Sequence, residues 1–271
     1  MLVILGLLVG GVLSGQALIR AAELRSITTD VNRYITAMAS FRDKYFALPG
    51  DLTNATSFWG TDPGGCPIAP YNTVPKKETC NGDGDGKING TTAAYPNGFY
   101  NYEVHRSWQH QADAGLINGQ YTGTCGTSNY GGVCTSGAST LQVGLDIPAS
   151  KITPAGFTLM YLEGVYSWND FTVDTGWFFH GNYGNILEFG HIANGAHFTY
   201  GPVLTPEELW NIDTKTDDGK PATGKIIAMS LLSFCVTTTS SATAEYDLAN
   251  TNAIAYGVSH VVCTPLFLTG L

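Results

Sequence analysis

Charge is scarce in this chain. Only 13% of its 271 residues are charged, and 22 acidic residues outnumber 13 basic ones, for a net charge of −9. An acidic surface repels phosphate backbones, so no nucleic-acid partner is expected on the head. Histidine is rare as well, with 6 in the chain. No Cys-x-x-Cys spacing and no His-Glu-x-x-His occur, so a zinc site is not expected. There is no Gly-x-Ser-x-Gly elbow and no Gly-x-Gly-x-x-Gly after a strand, so the chain is not read as an enzyme. Gly219-x-x-x-x-Gly224-Lys225 copies most of a phosphate-binding loop, but Ile226 stands where Ser or Thr must bind magnesium, and the stretch follows a helix rather than a strand. Glu163, Asp170 and Glu188 are the only carboxylates placed for glycoside chemistry, whose geometry only a fold can set.

No charge occurs from Met1 to Ile19, and no proline before Pro49. The first nineteen residues would form a helix about 28 Å long, roughly one bilayer core, so residues 1–19 are expected to span a membrane. A cleaved signal peptide would need a charged start, which is missing. Gly6/Gly10 and Gly11/Gly15 are pairs of small residues four apart that let helix backbones approach closely. Beyond Arg20 an apolar stripe continues through Leu24, Ile27, Val31, Tyr34, Met38, Phe41 and Tyr45, alternately three and four residues apart. Arg25, Asp30, Arg33, Arg42 and Asp43 fall off that stripe, which predicts one amphipathic helix continuous with the apolar half. Leu48-Pro49-Gly50-Asp51 stops it. The chain therefore divides into a helix, 1–47, and a globular head, 48–271.

The run from Leu2 to Leu52, with its Phe41-x-x-x-Tyr45-x-x-Leu48-Pro49-Gly50-Asp51 exit, resembles the N-terminal helix of type IV pilins and of the pseudopilins of type II secretion. The likeness is good over residues 1–60 and patchier beyond, where Trp108-Gln109-His110 and Trp210 to Gly224 are similar to segments of large-headed pilin-like proteins. It implies a structural subunit that assembles through its helix, with other copies or related subunits, into a pilus or secretion pseudopilus. It also implies a single-pass inner-membrane anchor before assembly and a head that is periplasmic or extracellular. That family carries a short basic leader ending in Gly, then an aromatic residue or Met, and a Glu at the fifth mature position. None of these is in the sequence, and Met1 stands about where the residue after that Glu falls. The expectation is a start codon upstream of Met1; the alternative is a chain that has lost the processing site.

The six cysteines, Cys66, Cys80, Cys125, Cys134, Cys235 and Cys263, all follow the helix and suit disulfides in an exported head. Full pairing leaves fifteen arrangements open. Sequence order suggests 66–80, 125–134 and 235–263, and a C-terminal bridge of the last kind is also seen in many pilins.

The most chemically specific stretch is Asn81-Gly-Asp83-Gly-Asp85-Gly86-Lys87-Ile88-Asn89. It matches the first nine positions of the Asp-x-Asp-x-Asp-Gly calcium loop. Oxygens would come from Asn81, Asp83 and Asp85, from the Lys87 carbonyl, and from Asn89 directly or through water, with Ile88 as apolar anchor. Position twelve is Thr92 instead of a bidentate Glu, so Glu78 or Glu103 would complete the shell. With two or three carboxylates the affinity is expected to be weak, on the order of 10⁻⁴–10⁻³ M.

The rest of the head predicts an α+β fold. Residues 101–119 read as helix, with His105 and His110 as surface or packing residues. Phe157–Leu162, Trp177–Phe179 and Asn185–Gly190 read as antiparallel strands. Thr205-Pro206-Glu207-Glu208 opens a capped helix running to about Asp218. Residues 225–233 and 253–263 read as closing strands. Asp213 and Asp217, one helical turn apart, mark a second candidate cation site, with Lys215 as their alternative partner. The aromatics Tyr161, Tyr166, Trp168, Phe171, Trp177, Phe178, Phe179 and Tyr183 are read chiefly as core. Exposed together, they would suit a second reading, a monomeric membrane-anchored calcium-dependent binding protein of lectin or adhesin type.

Overall fold

The computed structural model describes residues 2–66, 74–89, 102–125, 141–162, 179, 181–193, 198–229, 234–255, 257 and 259–271; the side chains of residues 2–9 and Asn252 are not among them. Helix α1, Leu2–Tyr45, is one unbroken helix of 44 residues. Its stripe does what its period requires: Ile27, Val31, Tyr34, Met38 and Phe41 are all buried in the head. Tyr34 sits edge-on to Trp108 (5.0 Å between centroids) and to Phe157 (5.2 Å). It thereby pins α1 to α3 (Tyr102–Asp113) and to strand β1 (Gly156–Leu162) at once. Phe41 heads a smaller cluster with Leu52 and Ala55, beneath the short helix α2, Thr56–Trp59.

Among the described residues the sheet has four strands in the order β1-β2-β4-β3, all neighbours antiparallel. β2 is Gly184–Gly190, β3 Ile226–Ala228 and β4 Pro265–Leu268. Both faces of β1 and β2 are almost fully buried, one beneath the helices, so their apolar residues run nearly without alternation. Helix α4, Pro206–Thr216, carries the expected capping box: Glu208 N–H donates to Thr205 Oγ1 (3.2 Å) and Thr205 N–H donates to Glu208 Oε2 (3.0 Å). The same Glu208 accepts two bonds from Arg20 (2.6 and 2.8 Å), which fixes α1 to the head at that residue.

That ion pair marks where α1 leaves the head. Val12, Leu13, Leu18 and Ile19 are 59–72% exposed, and a Cβ placed on Gly10, Gly11 or Gly15 would meet nothing within 4 Å. Gly6 lies in the part of the helix whose side chains are outside the described residues.

The membrane expectation is corrected here. Among the described residues, no helix is long and apolar enough to cross a membrane. The uncharged described stretch ends at Arg20, with Glu23 and Arg25 following, and two glycines, Ser14, Gly15 and Gln16 dilute what precedes it. The single-pass inner-membrane anchor therefore falls, and with it the anchored binding protein.

Smaller corrections follow local geometry. α3 stops at Asp113 because Gly115, at φ +74°, turns the chain. Among the described residues of 253–263 there is no strand. Asn250, at φ +51°, leads into α5 (Thr251–Ala255), and the last strand follows Cys263 instead. Of the predicted strand at 177–179, only Phe179 is described; it is buried, and its carbonyl accepts from the Tyr183 hydroxyl. Tyr166, Trp168, Phe171, Trp177 and Phe178 lie outside the described residues.

Trp108 has no exposed surface and also neighbours Tyr121 (6.4 Å). Trp108→Ala should cost about 3–5 kcal/mol, because the cavity it leaves lies between α1 and the sheet. Urea unfolding checks this: the midpoint should fall while the slope stays constant.

Candidate metal centre

The Asn81–Asn89 arc does not stand alone. Three segments converge on it, and glycines permit the approach. A Cβ on Gly82 would collide with the Gly50 carbonyl and the Asp51 backbone. A Cβ on Gly50, at φ +92°, would collide with the Glu103 carbonyl. The exit turn of α1, the arc and the start of α3 are therefore in backbone contact.

This contact brings four carboxylates together. Oxygens of Asp51, Asp83, Asp85 and Glu103 all lie within 4.8 Å of one another. Asp51 accepts from Gly84 N–H (2.6 Å) and Gly86 N–H (3.0 Å). Glu103 accepts from Asp83 N–H (2.9 Å) and Asn89 N–H (3.0 Å). Ile88 is fully buried, as an anchor should be; its N–H donates to Asn185 Oδ1 (2.9 Å), and its carbonyl accepts from Tyr161 N–H (2.7 Å). The arc is thus held from α1, from α3 and from the sheet.

The side chains of the expected ligands have definite places. Asp83 and Asp85 are exposed and inside the cluster. Asn89 Oδ1 is buried without a hydrogen-bond partner, while its amide nitrogen lies 3.5 Å from Asp85 Oδ2. The Lys87 ammonium is turned away over the Tyr161 ring, 4.6 Å from its centroid. Asn81 Oδ1 accepts from Thr56 N–H (2.9 Å), at the start of α2. Of the two carboxylates that could complete a shell, Glu103 lies in the cluster and Glu78 is exposed outside it; Thr92 lies outside the described residues. Sequence reasoning missed Asp51. Its only signal was a carboxylate closing the Leu48-Pro49-Gly50-Asp51 turn, which read as a helix stop.

The electrostatics match a cation site. Burial pushes the Asp51 carboxyl up to about 6 and the Glu103 carboxyl up to about 9, against the pull of the N–H groups they accept from. Neighbouring carboxylates add to both shifts: Asp85 and Asp83 act on Asp51, and Asp83 and Asp51 act on Glu103. Both pKa values are raised, so the metal-free fold gains most from these groups below about pH 4 and loses that gain as pH rises through about 6 and then 9. A divalent cation binds the ionised forms and so competes with protons. The calcium-induced rise in melting temperature should therefore grow steadily from pH 5 to pH 8. Scanning fluorimetry with calcium and with chelator at each pH checks this. An all-oxygen donor set with an orphaned amide oxygen suits calcium, which takes 6–8 oxygen ligands, and offers zinc no nitrogen or sulfur.

A second trio, Asp213, Asp217 and Asp218, also lies within 4.8 Å. Asp213 accepts from Tyr246 OH (2.6 Å) and Gly219 N–H (3.1 Å), and Asp218 from Thr223 OH (2.6 Å) and Lys220 N–H (2.9 Å). Asp217 accepts from Ile226 N–H (3.0 Å) and from Lys225 N–H. These carboxylates brace the 217–226 turn through backbone and hydroxyl donors rather than through Lys215. They also occupy the N–H groups that a phosphate would need.

The disulfides Cys66–Cys80 and Cys235–Cys263 are present. Cys125 is disulfide-bonded too, and Cys134 lies outside the described residues. Neither histidine of α3 is at the surface. His110 is fully buried and stacks against Trp59 (5.2 Å) and Phe41 (6.2 Å). Its Nδ1 accepts from Gly50 N–H (3.0 Å), which leaves the proton on Nε2 beside Thr79 Oγ1 (2.9 Å), and burial holds it neutral with a pKa near about 3. Glu188 is buried beside Thr199, and burial raises it to about 8; Glu163 and Asp170 lie outside the described residues.

Comparison with protein-family models, with curated proteins and with solved structures finds no match for this chain.

Proposed function

We propose that this chain is a structural subunit, similar to type IV pilins and secretion pseudopilins, that assembles with other copies or related subunits through the N-terminal half of α1. Its head, braced by disulfides and by calcium at Asp51, Asp83, Asp85, Asn89 and Glu103, faces outward. One observation carries the reading. A single helix is packed into the head over its second half and stands uncovered over Val12, Leu13, Leu18 and Ile19. Burying such side chains against other copies yields about 25 cal/mol per Å² of apolar surface. The open flanks of Gly10, Gly11 and Gly15 let a second helix come close, since interaxial distance follows the side chains at the contact. An arm that offers one surface to a different surface of the next copy builds an open filament rather than a closed ring.

Gly11→Leu and Gly15→Leu test close packing. Both should leave the head's melting unchanged and reduce sedimentable assemblies severalfold. Assemblies of unchanged yield and stability would count against a helix–helix seam at these positions.

A further inference from the structure

The disulfide between Cys66 and Cys80 is asymmetric in a way that bears on its chemistry. Cys66 is exposed, and Cys80 has no exposed surface. Cys66 lines an open cleft of about 370 Å³ together with Thr56, Thr61 and Asn81, so the approach to its sulfur is roomy. At the other end, Arg106 Nη2–H donates to Cys80 Sγ at 3.5 Å. Arg106 is itself buried and cannot give up its charge. Its carboxylate partner, Asp62, is shared: Arg106 Nη2 lies 2.9 Å from one oxygen and Lys76 Nζ 2.5 Å from the other. Asp113 also acts on Arg106, so what the guanidinium supplies at the sulfur is the Nη2–H donor itself. Gln109 Oε1 accepts from Arg106 Nη1 (2.9 Å) and fixes the guanidinium plane.

We propose that Cys66–Cys80 is a thiol-exchange site, entered at Cys66 by a small thiol and released at Cys80. The external thiolate attacks Cys66 Sγ along the cleft and forms a mixed disulfide there. The Cys66–Cys80 bond breaks, and its electron pair leaves on Cys80 Sγ as a thiolate beside Arg106. A second thiol then attacks the mixed disulfide, so two thiols are oxidised to one disulfide and the protein bond is reduced to two thiols. Exchange is faster when the attacked sulfur is accessible and the departing thiol is acidic, and the geometry supplies one condition at each end. The Cys235–Cys263 bridge lacks the first condition, because both of its residues are fully buried. This inference stands apart from the calcium and assembly readings.

The test uses the intact protein and reduced glutathione, with acid quenching, alkylation and peptide mass mapping. The glutathione adduct should appear on Cys66 with Cys80 alkylated, and this bridge should open roughly tenfold or more faster than Cys235–Cys263. An adduct on Cys80, or equal opening of the two bridges, would overturn the proposal. Thr61→Trp, which fills the cleft, should slow adduct formation severalfold; an unchanged rate would rule out entry by that route. In Cys66→Ser, the pH profile of Cys80 alkylation should place its thiol below the ordinary value of about 8.5. An ordinary or raised value would remove Arg106 from the account.

Discussion

Calcium at about 10 mM should raise the melting temperature of this protein by roughly 5–10 °C, and Asp83→Ala with Asp85→Ala should abolish that rise. The magnitude follows from linkage. A dissociation constant on the order of 10⁻⁴ M makes about 10 mM equal to about 100 times the constant, worth about 2.7 kcal/mol, and each kcal/mol moves a domain of this size by about 2–4 °C. Without calcium the double variant should melt at or above the parent, because it removes two exposed negative charges from beside Asp51 and Glu103. Glu103→Gln should also lose the calcium response, which separates the three-segment site from a free-standing Asp-Gly turn. Equal melting of the parent with and without calcium would dispose of the site.

Deleting residues 2–19 should abolish self-association while leaving the head's melting within about 1 °C, since surface changes remote from packing cost little. The cut falls before Arg20, so the pair with Glu208 and the whole buried stripe from Ile27 to Phe41 remain. Sedimentation velocity should show one monomeric species for the deletion and concentration-dependent larger species for the parent. A parent that stays monomeric at every concentration would remove the reason for the uncovered arm.

Much of the fold was legible in the sequence because period carries burial. The stripe from Leu24 to Tyr45 gave the buried face of α1 residue by residue, and Thr205 with Glu208 gave the start of α4. The short apolar stretch at 253–263 carried no period, and its start lies in α5 rather than in a strand. Half of the carboxylate cluster was legible for a similar reason: spacing within one loop is local. Asp51 was not, because it reaches Gly84 from 33 residues away, across a contact that only Gly50 and Gly82 allow. Glu103 was one of two candidates, and only the packing of α3 against the exit turn chose it over Glu78. The membrane reading failed because, among the described residues, glycines, Ser14 and Gln16 and the charges from Arg20 onward leave no stretch of helix long and apolar enough to cross a membrane.

The central claim is that the uncovered arm of α1 is covered by another copy. Hydrogen exchange of the residue 10–19 amides, followed in the intact protein across a concentration series, tests it most directly. The account predicts fast exchange at low concentration and strong protection at high concentration, while the amides of residues 27–41 stay protected throughout. Exchange in the arm that does not change with concentration would contradict it.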